Sequence, residues 1–115
     1  MVVDKIALDR LHSIGGDNLV NKMTALFREN VENRCREISE GVESSETQQI
    51  IRGFHSIKSS AGNVGATRLQ KLAAEGEAEA EDWAPEKVQN HVQSLREEFR
   101  KVMDEIEVYK GGTAK

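Results

Sequence analysis

One histidine, one lysine and one glycine stand close together in Phe54-His-Ser-Ile-Lys-Ser-Ser-Ala-Gly-Asn-Val-Gly65. Their types and spacing suit phosphoryl chemistry. Neutral imidazole is a nucleophile able to attack phosphorus, and a nearby ammonium offsets the charge that builds up on the transferred group. Apolar residues recur through the stretch at helical intervals: at about 100° per residue, Ile50, Phe54, Ile57, Ala61 and Val64 fall on one stripe. His55 points away from that stripe, on a strip shared with Ile51, Lys58, Ser59 and Gly62. Lys58, three residues on, lies within side-chain reach of His55. Ser59 and Gly62, one and two turns on, leave low relief beside the ring, so that a second macromolecule can close over it.

The other candidates for chemistry lack this setting. Neither His12 nor His91 has a lysine three residues on or a small residue seven residues on. His12 adjoins the Gly15-Gly16 break, and His91 is one position off an apolar stripe. Cys35 falls on a core stripe and is expected to be a small buried hydrophobe. A di-metal bundle needs two Glu-x-x-His motifs with further inward glutamates. The nearest approach is Asp9-x-x-His12, and the His-Glu-x-x-His zinc pattern is absent. No metal site is expected. A Gly-x-x-x-x-Gly-Lys nucleotide loop is absent too.

The elements that must position His55 are all helical in pattern. Ile6, Leu11 and Ile14 suggest a short N-terminal helix packed on the rest and ended by Gly15-Gly16-Asp17. Asp17 is expected to cap the next helix, whose stripe runs through Val20, Met23, Phe27, Val31, Cys35, Ile38 and Val42. Gly41 and the Glu43-Ser-Ser45 segment end it. Ser45 and Gln48 form a capping-box pattern for the His55 helix, which should stop at residues 63–65 because Asn and Gly tolerate the left-handed conformation. A further helix carries Leu69, Leu72, Ala73, Gly76 and Ala80 on one face. Its acidic end, residues 75–82, sits at the unfavourable pole of the helix dipole. That end is expected to be short or frayed, a solvated face whose charges help choose a partner. Asp82-Trp-Ala-Pro85 reads as a turn, with Pro85 in the first turn of the last helix. That helix has the cleanest period: Val88, Val92, Leu95, Phe99, Val102, Ile106 and Tyr109. Gly111-Gly112 is expected to release a polar tail. Such helices with short connections bury their stripes together. The expected fold is all-α: an antiparallel up-and-down four-helix bundle with a short extra N-terminal helix, comprising one domain at residues 1–110 and a tail at 111–115.

Composition narrows the function. The 115 residues suit one modest core, and 16 Lys plus Arg against 20 Asp plus Glu leave a net charge of −4. That balance speaks against general nucleic-acid binding, which needs a concentrated basic surface. A lone cysteine suits a reducing compartment. No apolar run approaches the roughly 20 residues that span a bilayer, and the N-terminus lacks a signal-peptide core. A cytoplasmic location, without membrane association, is expected.

His55-Ser-Ile-Lys58-Ser-Ser-Ala-Gly62-Asn63-Val-Gly65 resembles the signature of histidine-containing phosphotransfer (HPt) domains, and Ala66-x-x-Leu69-x-x-Leu72-Ala73 resembles the helix that follows it. The resemblance is tightest over residues 54–73, and the whole chain is similar in length and helix pattern, most of all to HPt domains of hybrid sensor kinases and their free-standing relatives. It implies that His55 is the phosphoacceptor, Lys58 the charge partner and Gly62 the small residue beside the imidazole. Ser59 stands where many members carry glycine. The resemblance further implies a monomeric phosphocarrier, without autokinase activity, that exchanges phosphoryl groups with aspartates of receiver domains in response regulators and hybrid histidine kinases. It would hold no cofactor of its own, the receiver supplying Mg²⁺. Two alternatives are an HPt-like interaction domain without phosphotransfer and the phosphoacceptor domain of a chemotaxis-type histidine kinase.

Overall fold

The computed structural model describes residues 2–113. All of its regular structure is helical: α1 (Lys5–Glu43), α2 (Thr47–Asn63), α3 (Thr67–Glu79), a 3₁₀ turn (Ala80–Asp82) and α4 (Pro85–Thr113). Helix α1 packs against α2 and α4, and α3 packs against the same two helices. Each therefore shares its apolar face with two neighbours around one core. The described residues extend 47 × 21 × 18 Å, a length that the 29-residue α4 alone nearly spans at about 1.5 Å per residue.

Beyond Gly16 the predicted stripes supply the core. Phe54, Ile57 and Ala61 on α2, Val31 and Ile38 on α1, Leu69 on α3, and Leu95, Val102 and Ile106 on α4 are all buried. Two glycines set the spacing of the helices around α2. A Cβ on Gly53 would lie 2.4 Å from Ile38 Cγ1, and one on Gly76 would lie 2.6 Å from the Phe54 ring. At both crossings the absent side chain is what allows the close approach.

Helix ends follow their local chemistry, with several departures from expectation. Asp4 caps α1, its carboxylate accepting from Ile6 N at 3.0 Å. Gly16 breaks the helical path at φ 68°, ψ −160°, so α1 is two helical stretches meeting at a kink. That backbone conformation is open to glycine and costly for other residues. The predicted cap does not form there. Asp17 instead turns back across the kink to His12, with Oδ1 3.1 Å from Nε2. The Ser45–Gln48 capping box is not formed either. Ser45 adopts φ 58°, α2 begins only at Thr47, and Glu46 at the cap position makes no side-chain cap bond. Backbone groups of the turn satisfy one another instead, Glu46 N donating to Gly41 O at 2.8 Å. At the other end α2 stops at Asn63, followed by Gly65 at φ 76°. Gly65 O accepts from Asp4 N at 2.7 Å, and a Cβ at Gly65 would meet Asp4 O at 2.4 Å.

The acidic end of α3 is not frayed. It tightens into the 3₁₀ turn, and Ala80 is buried there. Pro85 opens α4 as its first residue. That helix runs through Gly111 and Gly112 to Thr113, so the first residues of the expected tail continue it. Glycine weakens a helix but ends one only where φ turns positive, and Gly111 keeps a negative φ. Residues 114 and 115 of the expected tail lie outside the described residues. The N-terminal segment faces differently from the predicted Ile6–Leu11–Ile14 stripe. Val2, Val3 and Leu8 are buried, whereas Ile6 and Ile14 are 64% and 72% exposed. Backbone N–H groups of Val2 and Val3 donate to the Glu105 carboxylate at 2.8 and 3.1 Å, and this anchor turns Leu8 inward. No helix of the described residues is long and apolar enough to cross a membrane.

Candidate functional site

Helix α2 presents its predicted open strip as expected. His55, Ser59 and Gly62 are exposed and Lys58 is half-buried. The helix is held from below by α1. Asn30 donates through Nδ2 to Ser60 Oγ at 2.5 Å and to Ser56 Oγ at 3.2 Å. Both serines lie on the α1-facing side of α2, so this clamp fixes the rotation of the helix and hence the direction of His55.

From the other side α3 supplies a carboxylate. The contact of Gly76 with Phe54 brings α3 close, and the next residue, Glu77, reaches over the strip. One Glu77 oxygen, Oε2, bonds His55 Nδ1, and the other, Oε1, accepts from Lys58 Nζ at 2.5 Å. The His55 side chain remains 60% exposed while that of Glu77 is 24% exposed. The bond from the Lys58 ammonium is the main cause that holds the Glu77 carboxyl below its ordinary range, with His55 adding to it and partial burial opposing. An ionised carboxylate only accepts, so Nδ1 must carry the proton. Nε2 makes no hydrogen bond among the described residues. In the neutral ring it therefore holds a lone pair directed away from Glu77, on a side chain open to solvent.

Gly62 is not at a helix crossing. A Cβ there would meet only the Gln70 amide, with Nε2 at 2.6 Å. The relief beside His55 is thus low, but the end of a flexible side chain from α3 partly covers it. His91 belongs to the core's edge: its ring lies 4.8 Å from the Trp83 ring and 5.7 Å from the Phe54 ring, and Nε2 donates to Leu72 O at 2.7 Å. Cys35 is buried, and burial pushes its thiol up.

The structure therefore brings together His55, Lys58, Ser59 and Gly62, and adds Glu77, Gln70 and Asn30, which the sequence did not single out. Glu77 was hidden in the acidic run read as a solvated face. Its one distinguishing mark is that it follows Gly76, a small residue on an apolar stripe.

The sequence matches the model of the Hpt domain over residues 22–107, well over half of the chain. The interval starts beyond the Gly16 kink and contains every residue of the site. The chain belongs to the Hpt domain family. Members of this family serve histidine phosphotransfer in two-component signalling, interact with receiver domains of response regulators, and are in general phosphocarriers rather than catalysts. Comparison with curated proteins and with solved structures finds no match.

Proposed function

We propose that this chain is a phosphorelay intermediate whose His55 takes a phosphoryl group from a receiver-domain phospho-aspartate and passes it to the aspartate of a response-regulator receiver. The observation that carries this reading is the exposed imidazole tied through Nδ1 to Glu77, with Nε2 unpaired. In the step itself Nε2 attacks phosphorus, the P–N bond forms, and the acyl phosphate P–O bond breaks to release the donor aspartate as carboxylate. The product ring keeps its proton on Nδ1 and is cationic, and the Glu77 carboxylate compensates that charge. A phosphoimidazolium is in turn a good leaving group, so the same geometry supports onward transfer. Glu77 acts as a positioning residue that sets the tautomer and ring orientation. Lys58, held beside the ring by Glu77, offsets charge on the transferred group. Ser59 and Gly62 leave room for the receiver, which supplies the Mg²⁺. The chain itself is a cytoplasmic monomer without a cofactor, nucleic-acid partner or autokinase activity. The short connections and the pairing of each helix with two neighbours support an antiparallel up-and-down arrangement, with the stretch before Gly16 as an accessory helix.

The test is transfer from a labelled phospho-receiver to the chain and to its His55→Gln variant. The wild-type chain should acquire an acid-labile, alkali-stable label, and the variant should acquire none while keeping its helical circular dichroism. Label on a serine, or undiminished label on His55→Gln, would overturn the assignment. Incubation with Mg-ATP alone should leave the chain unlabelled.

A further inference from the structure

Helices α1 and α4 enclose a groove of about 630 Å³ that shares no residue with the His55 strip. Four arginines line it: Arg28 and Arg36 on α1, Arg96 and Arg100 on α4. The sequence contains eight arginines in all, so half of them meet in this one place, and no lysine lines it. The chain is acidic overall, at −4, which makes a concentration of cations on one face more telling. Arg28, Arg96 and Arg100 make no hydrogen bond or ion pair among the described residues, and Arg36 reaches only the neutral Asn33, at 2.6 Å. Glu32 stands one turn from both Arg28 and Arg36, where a helix would ordinarily form ion pairs. It forms none among the described residues. The floor is apolar, with partly buried Phe99 and Met103.

From this juxtaposition we infer a second interaction surface, which docks an acidic segment of a partner protein and leaves His55 free. Guanidinium groups recognise carboxylates bidentately and tolerate desolvation better than ammonium does. Arginines one turn apart on the α4 wall and two turns apart on the α1 wall match carboxylates spaced by whole turns on a helical ligand. From residue 28 to residue 36 the α1 wall runs about 12 Å at 1.5 Å per residue, two turns of such a ligand. Phe99 and Met103 would receive an apolar side chain between its carboxylates, and aromatic and methionine floors are common at interface centres. Tethering on the α1–α4 side would raise the local concentration of the phosphoacceptor without occupying it.

The experiment titrates the ¹⁵N-labelled full chain with an amidated 14-residue helix-forming peptide carrying glutamates one turn apart around a leucine. Parallel titrations use its glutamine analogue, inorganic phosphate, and phosphatidylserine vesicles. The glutamate peptide should shift the side-chain Nε–H signals of Arg28, Arg96 and Arg100 and the amide of Phe99, in a saturable and salt-sensitive manner, and leave the His55 ring signals in place. An Arg96→Gln/Arg100→Gln double variant, changed only at exposed positions, should bind it about tenfold or more weakly. Absence of those shifts, equal binding of the glutamine analogue, or unchanged affinity of the double variant would overturn the inference. Tighter binding of phosphate or of vesicles would overturn it too, in favour of a small-anion or a lipid site. None of these readouts depends on phosphotransfer at His55, so this inference and the proposed function fail separately.

Discussion

Glu77 divides its two oxygens between an imidazole and an ammonium, and that division makes the site more than a histidine on a surface. Glu77→Gln keeps the shape and removes the charge. It should slow phosphoryl acceptance by about tenfold or more, as loss of an orienting carboxylate beside a working histidine commonly does. Lys58→Ala should slow it less, because the receiver brings its own cation and metal. The same residue sets a pH dependence. A carboxyl whose folded pKa lies below its ordinary value of 4.5 adds stability above that value and loses it as pH falls through the lowered one. Melting temperature followed below about pH 4.5 should therefore fall more steeply for the wild-type chain than for Glu77→Gln. Equal acid limbs and equal transfer rates would return Glu77 to a spectator. His55, Lys58, Ser59 and Gly62 were legible in the sequence because their spacing places them on one strip of one helix. Glu77 and Gln70 were not, because which of several polar residues on α3 faces α2 depends on how the two helices are rotated about each other.

Three glycines on α2 and α3 separate packing from access. At Gly53 and Gly76 an added methyl would run into Ile38 and the Phe54 ring, both fully buried. Alanine at either should cost about 1–3 kcal/mol through overpacking, more than the gain of about 1 kcal/mol in helix propensity. At Gly62 the obstacle is the tip of Gln70, which can swing aside. Gly62→Ala should therefore keep most of that propensity gain and raise the melting temperature, while Gly62→Gln should block transfer from a labelled phospho-receiver. Thermal unfolding of the three alanine variants should give opposite signs. A destabilised Gly62→Ala would mean that α2 needs this glycine for packing after all. The periodicity showed that Gly76 lay on a stripe and that Gly62 lay off it, but only the helix crossings show which ring or side chain each glycine admits.

At the scale of the molecule, the N-terminal segment is tied to the far end of α4. Val2 and Val3 hold Glu105, and Tyr109 donates to Asp9 Oδ1 at 2.7 Å. Burial, then Asp9, push the Tyr109 phenol up to about 12 from an ordinary 10. Since the sequence has one tyrosine, absorbance at 295 nm reports this group alone. Its midpoint should lie near 12 in the folded chain and fall in Asp9→Asn, while staying above 10 because burial remains. The sign for stability is opposite to that of Glu77. A raised folded pKa adds stability below the unfolded value of 10, and that stability is lost as pH rises towards 12. A midpoint near 10 in the native chain would mean that the N-terminal segment does not dock on α4.

What the sequence determined by itself was local. Helical periodicity named the buried stripes beyond Gly16, glycine and proline named most of the breaks, and spacing placed His55, Lys58, Ser59 and Gly62 on one open strip of α2, because each of these depends on spacing within a single element. The structure decided what depends on two elements at once. It placed Glu77 over His55, turned Leu8 rather than Ile6 into the core, and gathered Arg28, Arg36, Arg96 and Arg100 along one groove. It also replaced two predicted caps, turning the Asp17 side chain back across the kink to His12 and letting backbone groups of the turn before α2 bond one another. A hydrophobic pattern specifies which face a helix buries. The rotation and closeness of its neighbours, set here by Gly53 and Gly76, specify which polar groups meet beyond that face.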